Sequence, residues 1–147
     1  MIRIICAILL SIIITPTYSD TLPFLTAKSW LVADKNGKII DGNNTTEVRS
    51  IASITKLMTV IIVLDANQEL TEIISTKLYN KKLSRRDLIS LAIIRSDNQA
   101  TKILCEKYIS GYQGCIEAMN NKAKSLGMNN THFVEPTGLY NDNISTA

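Results

Sequence analysis

Histidine and cysteine are scarce in this chain of 147 residues, which has one histidine and three cysteines. The cysteines and the histidine form no cluster in the sequence, so no metal site is predicted. The lone histidine, His132, is best explained as a surface or hydrogen-bonding residue rather than as a catalytic base. Internal repeats and low-complexity segments are absent too. These absences leave catalysis, if there is any, to other side chains.

Long apolar runs are also absent, apart from one at the N-terminus. The stretch 4–14 is apolar except for Ser11, follows Arg3, and precedes small residues at positions 17 and 19. This pattern is typical of a cleavable secretory signal. The run is shorter than the roughly 20 apolar residues of a transmembrane helix. We therefore predict a signal peptide over 1–19, with an uncleaved anchor as the alternative. Residues 20–147 would be one exported domain in the periplasm or cell envelope.

A strong charge of either sign is missing as well. The formal net charge is +3 at pH 7, which is too mild to indicate a nucleic-acid partner. One local basic run is best explained as a solvated loop and helix start, and attraction to an anionic polymer such as a cell wall is the weaker alternative. That run consists of Lys77, Lys81, Lys82, Arg85 and Arg86.

The exported part of the chain would keep two cysteines, Cys105 and Cys115. An oxidising compartment allows them to form a disulfide. Two buried free thiols would give the same sequence pattern. The sequence leaves both alternatives open.

The sequence does contain a short β-hairpin followed by helices, which indicates an α+β fold. Strand patterns at 29–34 and 38–41 flank Asn36-Gly37, a hairpin turn signal. Ser84 is a good N-cap, with Asp87 placed for a capping box. Since two strands alone make a marginal sheet, either the helices or strands outside this chain must cover the hairpin. Helices are predicted over 53–66, 84–95, 99–109 and 112–126, an extended stretch over 131–134 and a turn over 135–138, while 70–82 is ambiguous.

Ser53 and Lys56 stand three residues apart at the start of a strongly apolar helical stretch, so they share one helix face. A serine hydroxyl is a poor nucleophile until a base takes its proton. A lysine can be that base only if burial or a neighbouring cation lowers its pKa. Because 57–64 is apolar nearly all round, we expect a buried helix whose first turn lies in a desolvated cleft. An ordinary solvent-facing lysine is the alternative.

Ser96-Asp97-Asn98 is the second notable element, and a plain turn between two helices is its alternative explanation. Ser-x-x-Lys and Ser-Asp-Asn, together with Lys-Thr-Gly, are motifs of penicillin-binding proteins and class A β-lactamases. In this order, the first two resemble those of the low-molecular-weight penicillin-binding proteins, which are serine D-alanyl-D-alanine carboxypeptidases and endopeptidases. The resemblance covers Trp30 to Ala147. The stretch from Ala118 to Leu139 is most similar to the endopeptidase branch.

The resemblance implies a role for each matching residue. Ser53 would be the acylated nucleophile, and Lys56 would accept the proton of its hydroxyl group. The backbone N–H of Ser53 would be one of the two oxyanion donors. Ser96 would relay a proton or fix Lys56, while Asn98 would hydrogen-bond Lys56 or the substrate amide. Asp97 would point away from the cleft and serve the structure. Substrates would be peptidoglycan stem peptides or cross-links with D-Ala at the cleaved bond. β-Lactams would leave a stable acyl-serine, and no metal or organic cofactor is implied.

The third motif, Lys-Thr-Gly, is nowhere in the chain, because the only Thr-Gly, Thr137-Gly138, follows Pro136. The resemblance assigns to the missing part the remaining sheet strands, a cation for the substrate carboxylate and the second oxyanion donor. We therefore expect a partial β-lactamase/penicillin-binding transpeptidase-like fold, with a hairpin and helices but without the C-terminal strands. Three explanations of the missing motif stay open. The chain is a fragment, or it is a natural short form with little activity, or a second polypeptide completes it by adding strands to the hairpin.

The sequence thus predicts an exported serine-type D-alanyl-D-alanine endopeptidase or carboxypeptidase. A non-catalytic relative that binds the cell wall or a partner is the alternative from another class. The missing Lys-Thr-Gly favours that alternative, whereas the intact Ser53, Lys56, Ser96 and Asn98 argue against it. A β-lactamase is a weaker rival, because no glutamate after the second motif stands out as a deacylating base.

Overall fold

The computed structural model describes residues 25–75 and 81–147. The predicted signal peptide over 1–19 lies outside these residues, as does Lys77 of the basic run. No helix in the described ranges is long and apolar enough to cross a membrane. The same ranges contain no group of three or more His, Cys, Asp or Glu side chains that could hold a metal ion.

The predicted hairpin consists of β1 (Trp30–Ala33) and β2 (Ile39–Asn43), which pair antiparallel. The Asp34 carboxylate accepts the backbone N–H groups of Asn36 and Lys38 at 2.8 and 2.9 Å, and Gly37 supplies a positive φ of 82°. These bonds close the turn as the Asn36-Gly37 signal predicted. Apolar side chains of both strands are exposed, namely Leu31, Val32, Ile39 and Ile40.

A single turn of 3₁₀ helix, Ala52–Ile54, leads into α1 (Thr55–Asp65). The helix was predicted from about Ser53, so the nucleophile candidate lies in the tighter turn that precedes it. One face of α1 enters the core through Met58, Ile62 and Val63. We had expected α1 to be buried on nearly all sides. That expectation is wrong for the face opposite the core, because none of the described elements covers that face. The exposed stripe there is formed by Leu57, Ile61 and Leu64.

The ambiguous stretch 70–82 contributes β4 (Ile73–Ser75) and the start of β5 (Lys82–Ser84), which pair antiparallel. Ser84 caps α2 (Arg85–Ile94) through a complete capping box with Asp87, as predicted. Arg85 does not belong to a solvated run, which corrects that expectation. Its side chain is buried and pairs with the Glu72 carboxylate at 2.5 Å, which compensates for the loss of hydration.

The last two helices, α3 (Asn98–Glu106) and α4 (Gly111–Ser125), pack on α1 and close the core. Cys105 of α3 and Cys115 of α4 are fully buried and form a disulfide with a Cα–Cα distance of 5.4 Å. Of the two alternatives for these cysteines, the structure therefore selects the disulfide. The core that this packing buries includes Leu88, Ala92, Leu104, Met119, Ala123 and Phe133.

After α4 the chain returns to the segment just before Ser53. A short strand, β6 (Ile144–Ser145), pairs with β3 (Arg49–Ser50). His132, in the stretch predicted to be extended, pairs with Ile144 through backbone bonds only, and its side chain is exposed. The return of the chain brings the turn at 135–138 against the start of α1.

Candidate active site

The structure brings Ser53 and Lys56 together, as their spacing predicted. Lys56 Nζ donates to Ser53 Oγ at 2.9 Å. Ser53 is exposed, whereas only 2% of Lys56 is exposed. Burial lowers the pKa of Lys56, and the negative charges of Glu135 and Asp97 partly oppose that shift. The pair therefore combines an accessible hydroxyl with a desolvated amine, which is the arrangement that a lysine base requires.

The backbone just before the nucleophile is held in an unusual conformation. Ala52 has a φ of +45°, in the left-handed region that residues with a Cβ disfavour. Gly138 lies directly against this backbone: a Cβ at Gly138 would overlap the Ala52 carbonyl and stand 2.9 Å from Ser53 N. The strained residue and the glycine contact together fix where Ser53 sits.

The turn at 135–138 supplies backbone carbonyls to the first two turns of α1. Lys56 Nζ donates to the Thr137 carbonyl at 2.6 Å, and Thr59 Oγ1 donates to the Pro136 carbonyl at 2.8 Å. An ammonium group has three donors, and the bonds to Ser53 and Thr137 use two of them. The sequence had indicated a turn here, but not that its main chain would be the buried partner of Lys56.

The Ser96-Asp97-Asn98 segment joins α2 to α3. Ser96 is exposed with a φ of +52°, and Asp97 Oδ1 accepts the Ala100 N–H at 2.8 Å as the N-cap of α3. The structural role expected for Asp97 fits this capping bond. In the part of the chain that the structure describes, no hydrogen bond joins Lys56 to Ser96 or Asn98. The catalytic roles of those two residues therefore stay predictions.

Asn98 nevertheless borders the site through a shared cavity. A cavity of about 250 Å³ is lined by Asn98 from α3 and by Glu135 and Thr137 from the turn. Tyr112 and Tyr140 form part of the same wall. Asn98 thus lies across the cavity from the turn whose carbonyl contacts Lys56, and a ligand in this cavity would contact both.

Comparisons with known proteins show the family to which the chain is similar. The family model described as D-alanyl-D-alanine carboxypeptidase matches residues 17–77 and 68–147. The D-alanyl-D-alanine endopeptidases of Escherichia coli (strain K12) and Pseudomonas aeruginosa are 44% and 41% identical to the chain over 85% and 84% of its length. The chain spans only 45% and 44% of those relatives.

A solved structure shares the fold. It is that of penicillin-binding protein D2 from Listeria monocytogenes in the cefotaxime-bound form, with a TM-score of 0.73 and 31% identity. The match covers 84% of this chain and 58% of that one. The expectation of a partial penicillin-binding transpeptidase-like fold is therefore confirmed, with a hairpin and four helices among the described residues.

Proposed function

Because this chain belongs to the D-alanyl-D-alanine carboxypeptidase family, we propose that it bears the nucleophile of a serine peptidase that cleaves D-alanyl bonds in peptidoglycan. The observation that carries the proposal is the 2.9 Å contact between Ser53 Oγ and the buried Lys56 Nζ. The endopeptidase names of the relatives reported above support cleavage of cross-links, with the carboxypeptidase reaction as the alternative.

The proposed reaction is acyl transfer to Ser53. Neutral Lys56 takes the proton from Ser53 Oγ as the oxygen attacks the D-alanyl carbonyl carbon. The backbone N–H of Ser53 stabilises the oxyanion of the tetrahedral intermediate. Lys56 then protonates the departing amine, and water later releases the acyl group from the serine. Ser96 and Asn98 are proposed to relay a proton and to hold Lys56 or the substrate amide.

Two groups that this reaction uses in the family have no counterpart in the sequence. Family resemblance assigns the second oxyanion donor and the carboxylate-binding cation to a Lys-Thr-Gly strand, and that motif is absent from the sequence. Loss of one oxyanion donor alone costs about 10²–10³ in rate. A non-catalytic protein that binds the cell wall or a partner is the second candidate, and the exposed apolar hairpin favours it.

Export and β-lactam binding belong to the same proposal. The N-terminal pattern supports a secretory signal over 1–19 and a periplasmic or envelope location. A β-lactam presents a strained amide in place of the D-alanyl bond, so it would acylate Ser53 and stay attached. The cefotaxime-bound relative supports this expectation. Completion of the sheet by a second polypeptide remains a proposal that rests on the hairpin alone.

Intact-mass measurement after incubation with benzylpenicillin tests the function. We expect one adduct per chain that maps to Ser53, and no adduct on Ser53→Ala at an unchanged circular dichroism spectrum. Ser125→Ala, which changes an exposed serine at the end of α4, is the matched control and should label like the parent. An adduct that survives Ser53→Ala would remove Ser53 as the nucleophile. A folded parent chain that gives no adduct would favour the non-catalytic candidate.

A further inference from the structure

Glu135 is a buried carboxylate next to the site, and the mechanism above does not use it. Only 6% of the residue is exposed. Its two oxygens accept hydrogen bonds from the Thr137 hydroxyl at 2.6 Å and from the backbone N–H groups of Thr137, Gly138 and Leu139. The Asn143 amide donates to it as well, at 2.6 Å. None of the salt bridges among the described residues involves this carboxylate, so its direct partners are these hydrogen-bond donors.

Those hydrogen bonds keep Glu135 ionised. Burial by itself raises the pKa of a carboxyl group, but the bonds from Thr137 and Gly138 outweigh it and hold the pKa of Glu135 below its ordinary value. A carboxylate that accepts several N–H groups of one turn also fixes the conformation of that turn. Residues 137–139 are therefore clamped onto a fixed negative charge.

The clamp determines where the Thr137 carbonyl points. The Thr137 C=O and the Gly138 N–H belong to one peptide group, and this peptide is trans. In a trans peptide these two groups point in opposite directions. Since the Gly138 N–H is directed at Glu135, the Thr137 carbonyl is directed away from it, and Lys56 Nζ lies there at 2.6 Å. One peptide group thus links Glu135 to Lys56.

We propose that Glu135 is a positioning residue, which holds Lys56 against Ser53 by orienting the Thr137–Gly138 peptide. The inference rests on the proposed function, in which Lys56 is the base. Asn143 supports the clamp from the other side, because its amide donates to Glu135 and to Thr55 Oγ1. Removal of the carboxylate would leave the N–H groups of Thr137 and Gly138 without their acceptor and release the carbonyl that faces Lys56.

The charge of Glu135 gives the proposal a readout that a purely structural residue would not have. The charged groups that act on Lys56 are Glu135 from the turn and Asp97 from the N-cap of α3, and both raise the pKa of Lys56 against the effect of burial. Replacement of Glu135 by a neutral residue should therefore lower the pKa of Lys56 further. It should also slow acylation, because the base loses its fixed position.

The test is a titration of Lys56 by NMR in selectively ¹³C-labelled full chain. In Glu135→Gln we expect the Lys56 pKa to fall by about one unit, as for the loss of a nearby opposite charge. Acylation by a fluorescent penicillin at pH 7 should slow about tenfold or more, a part of the 10²–10⁴ that a general base contributes. Asp97→Asn, which keeps a good capping residue, should lower the pKa without the full rate loss. Glu117→Gln, on the exposed face of α4, should change neither.

A folded Glu135→Gln variant that keeps the parent's Lys56 pKa, or that is acylated as fast as the parent, would overturn the inference. If that variant does not fold, the parent chain still decides: the Lys56 resonance should show an acid step at the midpoint of the Glu135 carboxyl resonance, and a missing step overturns the proposal. Absence of acylation in every variant, the parent included, would instead overturn the proposed function for this chain. The Lys56 titration is independent of that result.

Discussion

The turn at 135–138 and the hairpin at 30–43 differ in which side chains they bury and which they expose to solvent. The turn is polar, yet Glu135, Pro136 and Thr137 are buried, and its carbonyls and carboxylate have hydrogen-bond partners. The hairpin carries apolar side chains that are 39–67% exposed at Leu31, Val32, Ile39 and Ile40. The difference teaches that the half of the molecule that positions Ser53 and Lys56 is built from residues of this chain. The described residues provide no cover for the apolar surface of the hairpin.

The largest effect should come from Gly138→Ala in the turn. A Cβ there would overlap the Ala52 carbonyl, and the φ of +82° disfavours any residue with a Cβ. We expect a loss of about 3 kcal/mol or more in the free energy of unfolding, from roughly 1–2 for the positive φ and 1–3 for the overpacking. Urea unfolding followed by circular dichroism measures it.

Gly37→Ala in the hairpin is the matched control for that change. Gly37 has the same φ of +82°, but a Cβ there would meet nothing within 4 Å. Only the conformational cost of about 1–2 kcal/mol should remain. Equal losses in the two variants would contradict the claim that close backbone packing at the turn distinguishes the two regions.

Thr59→Val should have an intermediate effect. Thr59 is fully buried and donates to the Pro136 carbonyl, so valine keeps the shape but leaves that carbonyl without this donor. A buried polar group that loses its partner costs about 1–3 kcal/mol. The control is Thr71→Val, which removes an exposed hydroxyl bonded to Glu69 at 2.7 Å and should change stability by less than about 0.5 kcal/mol. A loss at Thr71 as large as that at Thr59 would show that burial is not the cause.

Local signals predicted much of this molecule. The Asn36-Gly37 turn, the Ser84 cap and the face shared by Ser53 and Lys56 follow from contacts within four residues, which spacing and residue type reveal. The hydrogen-bond partner of Lys56 could not be predicted from the sequence. The Thr137 carbonyl is 81 positions away, and because every residue has a main-chain carbonyl, residue type does not reveal which one is the acceptor. Nor could the exposed stripe on α1 be predicted: periodicity identifies an apolar face but does not say which of two faces has a neighbour.

The smallest effect should come from Ile40→Val in β2. Ile40 is 67% exposed, whereas Ile62 in α1 is 3% exposed, so the same loss of one methylene tests the two environments directly. Ile62→Val should cost about 0.5–1.5 kcal/mol, and Ile40→Val should fall within about 0.5 kcal/mol of the parent.

Unfolding should be measured at two protein concentrations, with sedimentation velocity on the same samples. If Ile40→Val costs as much as Ile62→Val, and more at the higher concentration, a second copy covers the hairpin in solution and the contrast between the two regions disappears. If the cost stays near zero at both concentrations, Ile40 has no cover in solution and the contrast between the two regions stands.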